Sequence, residues 1–122
     1  MIQVGTRVKI TDNTGGKIAE VFKVLGGSRR RYARIGDLVV LSVKTAEPRK
    51  MVKKKDVLRA VVVRQRKPLR RRDGSYISFD DNAVVIIEKG KEPKGGRIFG
   101  PIPREITEAG YQRIASLAPE VL

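Results

Sequence analysis

Apolar and polar positions alternate first at residues 7–10, Arg-Val-Lys-Ile, which predicts a short strand with Val8 and Ile10 on one face. Asp12-Asn13-Thr14-Gly15-Gly16 is dense in turn formers, so residues 18–25, rich in β-branched side chains, read as a second strand. Gly26-Gly27-Ser28 breaks that strand, and a basic loop over residues 29–34 leads through Gly36-Asp37 into a third, residues 38–43. Pro48 and the charged residues 49–55 predict a connection that cannot sit in a core. Residues 57–64 form the next strand, and Val61-Val62-Val63 lacks alternation, as expected where both faces are covered. A basic run ending in Arg70-Arg71-Arg72 follows, Asp73-Gly74 turns the chain, and a second apolar run occupies residues 83–87.

Short strands separated by Gly-rich turns, with no helices between them, predict an antiparallel sandwich or a small closed barrel. At this length a barrel of about five or six strands is favoured, because closure removes exposed strand edges. Residues 65–72 and their Asp-Gly turn then form a basic hairpin that protrudes beyond the barrel wall. After Lys89 the residues Gly90, Pro93, Gly95, Gly96, Gly100, Pro101 and Pro103 predict an extended loop. Ile106, Tyr111, Ile114 and Leu117 then recur at roughly helical spacing, and Gly110 divides the segment into two short helices. The expected organisation is one mainly β domain over residues 1–122, with a C-terminal loop and short helices from about residue 90.

Composition narrows the function classes. Lys and Arg number 27 against 13 Asp and Glu, a net charge of +14 on 122 residues. A compact body with that charge repels itself, so a polyanionic partner is the natural expectation. No run approaches membrane-spanning length and no signal-peptide layout is evident, so a membrane partner is not expected and a cytoplasmic location is. The chain has no Cys and no His. Thiolate and imidazole chemistry, whether catalytic or metal-binding, is therefore excluded, and neither an enzyme nor a metal or cofactor is expected.

Residues 44–72 hold thirteen of the 27 cations and two acids, Glu47 and Asp56. A solvated charged face explains so dense a cluster poorly, whereas phosphate binding explains it well. Arg29, Arg30, Arg31 and Arg34 form a second basic patch beside Gly26 and Gly27. Gly15-Gly16-Lys17 lacks the spacing and following helix of a phosphate loop and reads as a turn. Asp80-Asp81 reads as a turn whose side chains bond local N–H groups rather than as a Mg²⁺ site. Phe22 and Phe79 lie in apolar strand context and are expected in the core, while Tyr32 and Tyr76 suit either base stacking or packing. With so few aromatics, phosphate and groove-shape contacts should dominate over base readout, which suits folded RNA.

The segment from Ala60 onward carries the most specific content. Ala60-Val61-Val62-Val63, nine residues, Asp73-Gly74, four residues, Phe79, two residues, Asn82, two residues and Val85-Ile86 resembles the signature of the large-subunit ribosomal protein fourteen family. Asp12-Asn13 with Gly15, residues 23–28, Arg97-Ile98-Phe99-Gly100-Pro101 and residues 116–122 agree with it, and the length and short N-terminus resemble bacterial members. The resemblance implies a five-stranded β-barrel with a protruding β-ribbon and small C-terminal helices, embedded in large-subunit rRNA. It also implies a place on the subunit interface, touching small-subunit rRNA in an inter-subunit bridge and ribosomal protein nineteen. A ribosome-silencing factor is a further implied partner, on a surface holding Gly96, Arg97 and Arg113. Relatives often carry Thr at the position of Gly96 and Lys at that of Arg113, so here the charge is kept and a hydroxyl is lost.

The expected function is thus a non-catalytic structural constituent of the large ribosomal subunit. Its rRNA contacts are expected from Arg29, Arg30, Arg31, Arg34, Arg49, Lys50, Lys53, Lys54, Lys55, Arg64, Arg66, Lys67, Arg70, Arg71 and Arg72. The alternatives are a free-standing nucleic-acid-binding barrel or RNA chaperone, and an enzyme using Asp73, Asp80 and Asp81 around Mg²⁺. The scarcity of aromatics weighs against the first and the missing His against the second.

Overall fold

A computed structural model describes residues 2–26, 31–88 and 90–122. Five strands close into a barrel in the order β1 (Arg7–Ile10), β2 (Gly16–Val24), β3 (Leu38–Ala46), β4 (Val57–Arg64) and β7 (Ala83–Ile86). Neighbours are antiparallel except at the closing seam, where β1 runs parallel to β7 over the pairs Lys9↔Ala83 and Ile10↔Val84. Between β4 and β7 the chain forms a two-stranded ribbon, β5 (Leu69–Arg70) with β6 (Tyr76–Ile77). Two short helices, α1 (Glu105–Glu108) and α2 (Gln112–Leu117), end the chain, and Gly110 separates them at φ +96°.

The uninterrupted valines of β4 are explained by two separate cores. Ala60 and Val62 point into the barrel with Val8, Ile10, Leu41, Val84 and Ile86. Val61 and Val63 point outward, where Val85, Ile98, Ile106, Tyr111 and Ile114 cover them. The C-terminal helices thus cap one outer wall of the barrel, and alternation vanishes over residues 60–64 of β4 and on β7 because neither face meets water there. Each fully buried Val or Ile contributes roughly 1.5–3 kcal/mol of transfer free energy, enough to hold helices too short to be stable alone.

Two expectations need correction. Phe22 is not core: it is 46% exposed on the outer wall of β2. The register of β2 against β3 shifts between Val21 and Lys23, so Val21 and Val24 face inward while Phe22 and Lys23 both face out. The connection after β3 is likewise not wholly outside the core. Val52 is fully buried, packs with the barrel interior, and donates its backbone N–H to the Thr14 carbonyl at 3.0 Å. Phe79 is half-buried.

Candidate nucleic-acid interface

Val52 is what turns the connecting loop into a cationic display. With its side chain plugged into the barrel, Arg49, Lys50, Lys53, Lys54 and Lys55 are all exposed. Lys53 N–H donates to the Asp56 carboxylate at 2.9 Å and Lys55 N–H to the Val43 carbonyl at 2.8 Å, so the loop backbone is fixed. Arg49 and Lys55 sit in the left-handed region at φ 65° and 73°, an arrangement that non-glycine residues hold only where their surroundings impose it. None of these five cations makes an ion pair with another described residue.

The ribbon divides its arginines into two kinds. Arg71 N–H bonds the Ser75 carbonyl at 2.8 Å and Gly74 N–H the Arg71 carbonyl at 3.0 Å, giving a three-residue loop with Gly74 left-handed at φ +89°. Asp73 accepts from Ser75 N–H at 3.0 Å and Ser75 Oγ at 2.6 Å. Those bonds, with Arg104 and Arg71 nearby, hold the Asp73 carboxyl below its ordinary range. Arg70 and Arg72 project into solvent. Arg71 instead donates to Glu105 at 3.0 Å and to the Leu122 carbonyl at 2.7 Å, tying the ribbon to α1 and the chain's last residues. Arg66 and Lys67 are exposed at the ribbon's root, with Arg66 Nε bonded to the Asp80 carbonyl at 2.7 Å.

Arg64, expected among the phosphate ligands, is enclosed within the protein. It is 5% exposed, and its guanidinium donates to the Phe99 and Pro101 carbonyls at 3.0 and 3.2 Å and to Thr11 Oγ1 at 3.0 Å. Asp81 completes the enclosure, with Oδ1 3.0 Å from Nε and Oδ2 3.3 Å from a terminal nitrogen. Asp81 is therefore an internal counter-ion to Arg64, in place of the local turn bonding expected of it. Arg29 and Arg30 lie outside the described residues, whereas Arg31 and Arg34 are exposed, as are Tyr32 and Tyr76.

A second surface surrounds Gly96 and Arg97, both exposed. Their backbone N–H groups converge on Asn13 Oδ1 at 3.0 and 3.2 Å, and the Arg97 carbonyl accepts from Asn13 N–H. A Cβ at Gly96 would meet nothing within 4 Å, so glycine there is not a packing requirement. Lys91 joins the loop to the helices: its ammonium bonds the Ala109 carbonyl at 2.8 Å and stands 5.2 Å from the Tyr111 ring centre. Arg113 is exposed on α2.

The sequence matches a known family pattern over its whole length. The family model for ribosomal protein L14p/L23e matches residues 1–122. The chain belongs to the ribosomal protein L14p/L23e family. An L14p/L23e protein is a structural, non-enzymatic component of the ribosome, and the closed five-stranded barrel with two short helices is the fold expected from the signature residues. Within it, Val61, Val62, Val63, Val85 and Ile86 build the two cores, Asp73-Gly74 makes the ribbon turn, and Asn82 Oδ1 accepts Arg66 N–H at 2.9 Å. No helix among the described residues is long and apolar enough to cross a membrane.

Arg7, Lys9 and Lys17 are not among the cations expected to bind rRNA. All three are exposed and line one groove with the expected ligands Lys50 and Arg66. The charged–apolar alternation of β1 was the available signal, since the strand face opposite Val8 and Ile10 must carry its cations outward.

Proposed function

We propose that this ribosomal protein binds large-subunit rRNA through the loop at Arg49, Lys50 and Lys53 to Lys55, the exposed ribbon cations Arg66, Lys67, Arg70 and Arg72, and the patch of Arg29, Arg30, Arg31 and Arg34. The observation that carries this reading is the set of exposed loop and ribbon cations held on fixed backbone without counter-ions among the described residues, in a chain of this family. Arg forks engage phosphate oxygens bidentately and Lys adds point charge, so the contacts neutralise the chain's +14 excess. Residues 1–122 act as one rRNA-binding unit in the cytoplasmic ribosome, on the subunit interface. There it touches small-subunit rRNA in an inter-subunit bridge and ribosomal protein nineteen, while Gly96, Arg97 and Arg113 form the surface for a ribosome-silencing factor.

The test is salt-dependent binding to large-subunit rRNA fragments. Replacing Arg70 and Arg72 together by Gln is expected to reduce the slope of log affinity against log salt by about 0.7–0.9 for each phosphate no longer neutralised. Replacing Lys53, Lys54 and Lys55 by Gln should do the same from the other surface. An unchanged slope in both variants refutes the assignment. For the partner surface, Gly96→Thr should leave folding untouched and strengthen silencing-factor binding, and no gain in binding would remove Gly96 from it.

A further inference from the structure

A groove of about 750 Å³ runs between β1, the start of β2 and the root of the ribbon, a size in the range of clefts that hold small ligands. Its lining combines two chemistries. Ile18 and Phe99 add apolar surface that is 41% and 50% exposed, next to the buried Val8 and Ile10. Arg7, Lys9, Lys17, Lys50 and Arg66 reach the same groove from four separate segments. The acids there do not balance them. Asp12 is buried and already accepts from Thr14 N–H, Thr14 Oγ1 and Ile86 N–H, and Asp81 is paired with Arg64, which leaves Glu47.

The two amides of the groove have a fixed polarity. Asn13 Oδ1 accepts from Gly96 and Arg97 N–H, and Asn82 Oδ1 accepts from Arg66 N–H. In both, the oxygen is committed and the NH₂ remains to donate. The groove therefore offers positive charge, amide donors and an aromatic wall. The matching ligand is anionic, rich in acceptors and flat.

We propose that this groove receives one unstacked nucleotide of an RNA chain, its base against Phe99 and Ile18 and its flanking phosphates on the five cations. A plain apolar ligand would leave those cations without counter-charge. A paired duplex strand would satisfy them but cannot present a base face to Phe99, because its bases stay stacked. An extruded or bulged nucleotide satisfies both, with base–aromatic stacking and phosphate contacts contributing together. The proposal rests on the rRNA-binding reading and adds the place on the protein and the form of RNA that occupies it.

The experiment uses the full chain and two RNA duplexes that differ by one bulged nucleotide, 2-aminopurine. The bulged duplex is expected to bind roughly tenfold more tightly than the paired one, the scale of one stacked base. Phe99→Ala should bring the two to near parity, leave paired-duplex affinity unchanged, and abolish the change in 2-aminopurine fluorescence on binding. The fold should survive, because the Phe99 side chain is half exposed and its structural bonds are made by backbone N–H and carbonyl. Lys9→Gln with Lys17→Gln should weaken bulged-duplex binding and lower its salt slope. Equal binding of both duplexes by the unmodified protein overturns the groove while leaving phosphate binding standing. Failure to bind either overturns both. Displacement of the bulged duplex by AMP at micromolar concentration also overturns it, since the groove would then serve a free nucleotide.

Discussion

Arg64→Met separates the two roles an arginine in a basic segment can have. The substitution keeps an unbranched apolar stem and removes the guanidinium. With it go the bonds to Phe99 O, Pro101 O and Thr11 Oγ1 and the ion pair with Asp81. Removing one member of a buried pair costs about 3–5 kcal/mol when the other is left desolvated. Here the Asp81 side chain is 33% exposed, so water takes over much of its solvation and the top of that range does not apply. The two carbonyls bonded by a charged donor still lose contributions of roughly 1.5–3 kcal/mol each at most. Partial hydration of the opened site brings the expected loss to about 2–4 kcal/mol.

In a urea titration, that loss lowers the midpoint without changing the slope. By heat it lowers Tm by about 4 °C per kcal/mol, or roughly 8–16 °C, for a chain of this size. Asp81→Asn should cost less, since it breaks the ion pair and keeps the bonds to the loop. The double variant should fall short of the sum of the singles, as coupled neighbours do. The salt slope of RNA binding should not move in Arg64→Met. A phosphate ligand gives the opposite pattern, with stability within about 0.5 kcal/mol and the slope reduced by about 0.7–0.9. That outcome would show that the enclosure of Arg64 is not what holds the loop.

Three further outcomes are expected. Arg71→Gln should destabilise the chain by about 1–2 kcal/mol through loss of the bonds to Glu105 and Leu122, and amide exchange at residues 69–77 should speed up, whereas Arg72→Gln should do neither. Gly15→Ala should cost about 1–3 kcal/mol for a left-handed backbone at φ +103°, and more because the new Cβ would overlap the Lys50 side chain. Gly5→Ala, at φ +92° with open space around it, isolates the backbone share, and equal losses in urea would refute the overlap. For the carboxyls, burial raises the Asp12 pKa above 3.8 despite its bonds from Thr14 and Ile86, while bonds from Ser75 lower that of Asp73. Asp12 thus detracts from stability at neutral pH, and the deficit disappears as pH falls through its raised pKa toward 3.8. Asp73 contributes stability above 3.8 that is lost as pH falls through its lowered value. Carboxyl ¹³C titration should place Asp12 above and Asp73 below 3.8, and the reverse order would refute the account.

The strands were legible wherever side-chain period and turn chemistry agreed. Residues 7–10 and 57–64 emerge with the bounds read from the pattern, and Gly110 separates the helices as expected. Phe22 departs from the expected core because three irregularities in the pairing of β2 with β3 break the period of 2, and no local signal marks a bulge. Val52 was hidden among lysines, since one apolar plug does not change the character of a charged window. The candidate site was legible as charge but not as allocation. Arg64 and Arg70 look alike in a basic run, and only bonds to residues 35 and 37 positions further along decide that Arg64 is internal. Arg7, Lys9 and Lys17 lie far in sequence from Arg66, and barrel closure is what brings them to one groove.

That closure also explains where the buried polar side chains sit. The β1–β7 seam has two register pairs, the fewest of any barrel neighbours, and parallel pairing is slightly weaker per residue. It is reinforced from both sides. Asp12, just past β1, accepts the Ile86 N–H of β7 at 2.9 Å, while Thr11 N–H bonds the Val84 carbonyl at 3.0 Å. Arg64 reaches Thr11 from the end of β4 and holds Asp81, two residues before β7. Asp12 and Arg64 are the two buried ionisable residues among the Asp, Glu, Lys and Arg side chains described, and both brace this seam. The same bonds fix the groove: Lys9 N–H donates to the Asn82 carbonyl at 2.9 Å, and Phe99 N–H to the Thr11 carbonyl at 2.7 Å. Backbone bonds thus hold Lys9 and Phe99 in place on two of its walls, and such preorganisation lowers the ordering cost of binding. Loosening the seam at Asp12 or Arg64 should weaken nucleotide capture without removing a single exposed cation.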